Sequence, residues 1–249
     1  MRRIIALAIL SIAWTVGAVA ETKQTIVIVH GAWAGAWQFA RIEPFLREAG
    51  YDVRRVTLTG LGERSHLVHS DIGLETHLED VLNVIRFENL NDIVLLGHSY
   101  GGMVITGVAD RMPERVRRLI YLDAMIPESG ESAADIMGPN AQKLLANTQD
   151  GLVPAWWVKP GKPYPIDVPH PAKTFTDKLV LTRDVATEIA ATYILTVEDG
   201  KAAADDDFIP FAQRAEKHGW PVIQMSGDHN PHWRQPKETA AVILDAIAR

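Results

Sequence analysis

Six short apolar runs, all but one linked to the next by a stretch of helical periodicity, set the architecture of this 249-residue chain. TIVIVH (Thr25 to His30), YDVRRVTL (Tyr51 to Leu58), DIVLLGH (Asp92 to His98), RLIYLDA (Arg118 to Ala124), YILTVED (Tyr193 to Asp199) and WPVIQMSG (Trp220 to Gly227) read as strands. A run such as Thr25 to His30, apolar on both faces, belongs in a sheet covered by helices on each side. Between the runs, Ile42, Phe45, Leu46 and Ala49 make a helical stripe that Gly50 closes, and Leu78, Val81, Leu82 and Ile85 make a second. Further helices are expected after Ser99 to about Met112, around Pro210 to His218, and from Pro236, where Ala240, Ile243, Leu244 and Ile247 form the inner stripe. Strand and helix alternating in this way predict an α/β fold, a mostly parallel sheet of about six strands joined by right-handed crossovers. With 47% hydrophobic residues, the length suits one domain with a large core.

Two segments break the rhythm. Arg2 and Arg3 precede an apolar run, Ile4 to Val19, that closes on Ala18-Val19-Ala20. This is the pattern of a signal peptide cut after Ala20. The run is short for a membrane span, and Ser11, Thr15 and Gly17 dilute it. Residues 1–20 are therefore expected to be removed and 21–249 to form the domain, exported to the periplasm or secreted. The second break runs from about 128 to 190, where prolines at 139, 154, 160, 163, 165, 169 and 171 cut the chain into short pieces. An excursion this long in a compact sheet is the mark of a lid, expected here to be helical.

Composition narrows the chemistry. Acidic residues outnumber basic ones 31 to 25, and loss of Arg2 and Arg3 takes the formal charge from −6 to −8, which argues against nucleic-acid or anionic-membrane partners. The chain has no cysteine, so disulfides, thiolate metal sites and a cysteine nucleophile are excluded. What remains prominent is LLGHSYGG, residues 95–102: Ser99 follows a buried strand, opens a helix and is flanked by Gly97 and Gly101. That is the setting of a serine held on a strained strand-to-helix turn, with the Tyr100 N–H at a helix start where it can hold an oxyanion. A serine hydroxyl needs a base to take its proton. Of nine histidines, His229 stands after the last strand in SGDHNPHWRQP, where the order serine, acid, histidine places the base; His232 is the nearby competitor. His77 lies on a helical stripe, His218 near a helix end, and His66 and His69 in a polar loop with Asp71. His30 and His98 end strands beside the site and are expected to shape it. The turn after the first strand, VHGAW, offers the Ala32 N–H as second oxyanion donor. Trp33 is expected to wall the pocket and Trp37 to pack.

VHGAWAGAWQFARIEPFLREAGYDVRRVTLTGLGERSHL, GHSYGGMV, YLDAMIP and GDHNPHWRQP together resemble the α/β-hydrolase superfamily. The branch they are similar to is the small esterases that include plant methyl-ester esterases, hydroxynitrile lyases and bacterial relatives. The likeness spans nearly the whole mature chain and is weakest over the lid. It implies an α/β-hydrolase fold with Ser99 as nucleophile, His229 as base, and Ala32 and Tyr100 as oxyanion hole. The acid expected from it is Asp199, which ends YILTVED after Thr-x-x-Asp; Asp123 in YLDA, Asp206 and Asp207 remain alternatives. Lyases of this branch carry a threonine in the first loop and a lysine after the histidine, positions held here by Gly31 and Asn230. The reaction expected is therefore hydrolysis of a small carboxylic ester through an acyl-enzyme, with no cofactor or metal required; a lyase or a non-catalytic binding protein is the alternative. Trp156, Trp157 and Tyr164 in the lid point to an apolar or aromatic group on the substrate, with Trp33, Trp156 and Trp157 expected to contact it.

Overall fold

The computed structural model describes residues 23–249, so the expected signal peptide at 1–20 lies outside the described residues. One sheet holds β1 (Thr25–Val29), β2 (Asp52–Val56), β3 (Ile93–His98), β4 (Val116–Leu122), β5 (Ala190–Val197) and β6 (Val222–Ser226), in the order β6-β5-β4-β3-β1-β2. All five neighbouring pairs are parallel. The expected α/β class and six-stranded parallel sheet are thus what the chain forms.

Alternate residues of the central strands feed two cores. Val27 and Val29 of β1 pack with Leu78, Val81 and Leu82 of α2 (Leu74–Phe87) and with Val104, Ile105 and Val108 of α3 (Gly101–Arg111). Ile26 and Ile28 face the opposite side, with Ile42, with Leu46 of α1 (Glu43–Glu48), and with Ala240, Ile243 and Ile247 of the C-terminal helix Pro236–Ala248. Burying each such aliphatic side chain is worth about 1.5–3 kcal/mol, which is why both faces of these strands read as apolar.

The strand order reverses direction between β1 and β3, and that switch point places the first-strand turn and Ser99 side by side at the carboxyl ends, where α/β sheets bind ligands. Register then aligns the next strand: Gly97 pairs with Tyr121 and His98 with Leu122, so Ser99 and Asp123 leave the sheet together. Strand ends shift by one to three residues from the sequence reading, and two of the shifts bear on the site. β4 ends at Leu122 rather than Ala124 because Asp123 turns to φ 45°, and β5 begins at Ala190 because Ala190 and Ala191 pair with Arg118 and Leu119. Alanines carry little strand preference of their own; the exposed edge of β4 imposes it.

Between β4 and β5 the chain makes the expected excursion, but it is not simply helical. Short helices at Ala133–Met137, Pro139–Leu145, Lys173–Thr176 and Val185–Glu188 alternate with two antiparallel ladders of two residues per strand. The excursion is tied down at several points. The Thr182 and Arg183 N–H groups donate to buried Asp110 at 2.8 and 2.9 Å, and Arg214 pairs with Glu131 at 2.6 Å. Over the site, the Trp33 indole N–H donates to the Val153 carbonyl at 3.1 Å and the Val168 N–H to the Trp33 carbonyl at 2.8 Å.

Candidate active site

Ser99 sits at φ 54°, in the left-handed region that a serine enters at a cost of about 1–3 kcal/mol. The flanking glycines make the turn possible. A Cβ on Gly97 would lie 2.7 Å from the Gly101 carbonyl oxygen, and one on Gly101 would lie 2.6 Å from that of Val29. The Met125 N–H donates to the Ser99 carbonyl at 3.0 Å and holds the turn against the start of the excursion. The Ala32 and Tyr100 amides expected to hold an oxyanion are not used by the turn, loop and cap hydrogen bonds of the described residues. Ala32 lines the same cavity as Ser99.

His229 lines that cavity too, and its Nδ1 lies 2.6 Å from Oδ2 of Asp123. A carboxylate only accepts, so Nδ1 carries a proton, and in the neutral ring Nε2 is the nitrogen that keeps its lone pair. The Nε2 to Ser99 hydroxyl hydrogen bond is not formed here; such bonds commonly tighten when substrate binds. Asp123 is 2% exposed and fixed from three sides: its N–H donates to the Ile194 carbonyl at 2.8 Å, its Oδ1 accepts the Thr196 N–H at 3.1 Å, and Oδ2 holds His229. Two more side chains set the imidazole. His98 Nε2–H donates to the His229 carbonyl at 2.7 Å, and the Phe208 ring stacks on the His229 ring at 4.5 Å.

The geometry corrects the acid expected from the sequence. Asp199 is exposed on the loop after β5, where Ser226 donates a hydrogen bond to it, and it does not meet His229. Asp206 accepts from the Phe208 N–H at 2.9 Å and from Lys201 at 3.2 Å, and Asp207 is exposed. Trp156 is corrected as well: 63% exposed, it packs edge-on against Trp33 and Trp157 but lines a separate depression with Asn147, Gln149 and Pro154. Trp33 and Trp157 do line the Ser99 cavity, their rings 5.1 Å apart and nearly perpendicular. Trp37 packs edge-on against Trp233. Sequence reasoning passed over Phe208, Gln38 and Asp167, of which the last two line the cavity; none sits in a recognisable motif. A second cavity of about 260 Å³, lined by Thr106, Tyr121, Ile126 and Trp220 among others, contains no member of this group.

Five histidines in and behind the site are buried and held neutral. Burial lowers His30 from its ordinary 6.5 to about 4, and His77 and His232 to about 3. It pushes His98 and His170 well below the ordinary value. Hydrogen bonds fix several tautomers: His30 Nε2 accepts the Leu58 N–H, and His170 Nδ1 accepts the Trp33 N–H, both at 3.1 Å. Trp33, at φ 61°, is thereby held in a conformation costly for a bulky residue. His232 has neither ring nitrogen partnered among the described residues and stacks flat on Phe39 at 4.1 Å. An imidazole whose folded pKa lies below its unfolded value is neutral in the fold and charged in the unfolded chain between the two, so its contribution is present above pH 6.5 and is lost on acidification. Below pH 6.5 unfolding should take up protons at these histidines, and stability should fall as the pH drops. Acid unfolding followed by circular dichroism should therefore have its midpoint between about pH 4.5 and 6. Stability that stays level from pH 7 to 5 would contradict this. His232→Phe keeps the stack, should take up one proton fewer, and should gain about 1 kcal/mol at neutral pH by removing two buried unpaired nitrogens.

A family model described as "Alpha/beta hydrolase family" matches residues 26–242. Over 106 residues the chain is 54% identical to a carbendazim hydrolyzing esterase of Nocardioides sp. (strain SG-4G), a stretch covering 43% of this chain and 44% of that one. It is 31% identical over 116 residues to polyneuridine aldehyde esterase of Rauvolfia serpentina, covering 45% and 43%. Each match thus spans less than half of the curated relative. Among solved structures, an extracellular alpha/beta-hydrolase from a Paenibacillus species superposes with a TM-score of 0.75 at 23% identity, over 90% of this chain and 99% of the other.

Proposed function

This chain belongs to the α/β-hydrolase family, and on that footing we propose that it hydrolyses small carboxylic esters through Ser99, His229 and Asp123. The observation that carries the reading is the buried Asp123 carboxylate on Nδ1 of His229, with His229 and left-handed Ser99 on one cavity. In the proposed mechanism Ser99 Oγ attacks the ester carbonyl while His229 Nε2 takes its proton, and Asp123 stabilises the resulting imidazolium. The Ala32 and Tyr100 N–H groups hold the oxyanion. The tetrahedral intermediate collapses as His229 protonates the leaving alcohol. Water, deprotonated by the same nitrogen, then releases the acid and restores Ser99. The cavity is about 210 Å³, which suits a small ester with an aromatic group against Trp33 and Trp157. The names of both curated relatives as esterases support this class. Gly31 and Asn230 weigh against a lyase, since neither supplies the threonine hydroxyl or lysine ammonium that a cyanohydrin site uses.

A fluorophosphonate probe should label the protein at Ser99, and p-nitrophenyl esters of short acids should be cleaved with a burst of nitrophenol. An unlabelled, folded protein would leave the binding-protein alternative standing. The reading includes export. The native N-terminus should be Glu21, measured by mass spectrometry of protein from its host, and intact Met1 in the cytoplasmic fraction would reject it.

A further inference from the structure

Two acceptors on residues lining the Ser99 cavity have no donor. Asp167 Oδ1 and Gln38 Oε1 are buried and without a hydrogen-bond partner among the described residues. Asp167 is not loosely placed, because its other oxygen accepts the Trp157 indole N–H at 2.8 Å, and Trp157 in turn packs on Trp33. A carboxylate is thus built into the aromatic wall with one oxygen satisfied and the other left over. Burial pushes its carboxyl above the usual range, and the Trp157 N–H alone pulls the other way. A hydrocarbon-binding pocket has no use for this arrangement, since a buried acceptor without a donor costs about 1–3 kcal/mol and more when charged.

We propose that Asp167 and Gln38 form an acceptor subsite and that the preferred substrate is an ester whose aromatic group carries an amino group donating to both. The inference rests on the ester-hydrolase reading of the same cavity. Two unpaired acceptors call for two protons. A primary amine presents two N–H bonds from one atom, whereas a hydroxyl presents a single O–H and adds lone pairs of its own. The aromatic ring carrying the amine is held by Trp33 and Trp157 and delivers it at the ring edge, in the plane where a donor is best aimed.

The test compares methyl phenylacetate with methyl 3- and 4-aminophenylacetate and the matching hydroxy esters, in which the methylene insulates the carbonyl from the substituent. The better amino ester should exceed the unsubstituted one in kcat/KM by about tenfold or more, with the hydroxy esters between. In Asp167→Asn the amide oxygen serves Trp157 and presents N–H where the acceptor stood, so the preference should collapse to within about twofold. A ratio of two substrates does not depend on the folded fraction, and if Asp167→Asn is wholly inactive, Gln38→Leu should lower the same ratio severalfold. Amino esters no better than methyl phenylacetate in the wild type, or a preference surviving both substitutions, would overturn the subsite. Fluorophosphonate labelling and cleavage of p-nitrophenyl acetate are run alongside. If both occur without amino preference, the subsite alone fails; if neither occurs, the ester-hydrolase reading fails and takes the subsite with it.

Discussion

Asp123→Asn should lower ester turnover by about four orders of magnitude, whereas Asp199→Asn, Asp206→Asn and Asp207→Asn should each stay within about tenfold of wild type. The size follows from the hydrogen bonds around Asp123. One oxygen accepts the Thr196 N–H at 3.1 Å and the other holds His229 Nδ1 at 2.6 Å. An asparagine must keep its oxygen on the Thr196 N–H, because nothing else there satisfies that buried donor. Its NH₂ group then faces His229, and Nδ1 must accept rather than donate. The imidazole proton moves to Nε2, the atom that has to receive the proton of Ser99, and no general base remains. Asp199 reaches Ser226 and not the imidazole, so its amide changes nothing at the reacting atoms. Measured kcat on a p-nitrophenyl ester decides the matter: a crippled Asp199→Asn beside a healthy Asp123→Asn would mean that the 2.6 Å pair is not the working one.

Ser99→Ala should remove ester hydrolysis by about six orders of magnitude, and His229→Ala by about as much. The double variant should be no slower than either single one, because nucleophile and base act as a unit. The residual rate belongs to the amides and the pocket, which both variants keep. The fold should survive, since alanine meets the same left-handed backbone as serine at φ 54°. Ser99→Gly carries a second signature. Glycine enters that region freely, so this inactive variant should be more stable than wild type by about 1 kcal/mol, read as a raised Tm. Activity near wild type in Ser99→Ala, or no gain in Ser99→Gly, would remove respectively the nucleophile and the strain from this account.

Much of this site is legible in one dimension. The unbroken apolar run of Ile26 to Val29, buried on both faces, the helical stripe of α2 and the Gly97-x-Ser99-x-Gly101 turn are local patterns, each forced by sterics within a few residues. The position of His229 after the last strand follows from chain order. The choice among carboxylates is of another kind. Asp123 and Asp199 both stand just past the ends of neighbouring strands, in sequence contexts that serve equally well. Register separates them. Leu122 pairs with Ile194, which sets Asp123 beside Thr196 while β5 is still running; Asp199 lies three residues beyond Thr196, about 10 Å of extended chain further from the serine turn. Likewise Trp156 and Trp157 are adjacent in sequence, alike in chemistry and both partly exposed, yet only Trp157 lines the Ser99 cavity, with its N–H on Asp167. The sequence alone determined the architecture and singled out Ser99 and His229 for the proposed roles, because those depend on short-range periodicity, steric exclusion and chain order. The tertiary structure decided the acid, the pocket wall and the unpaired acceptors, because each depends on how far one strand or loop runs past another before it turns.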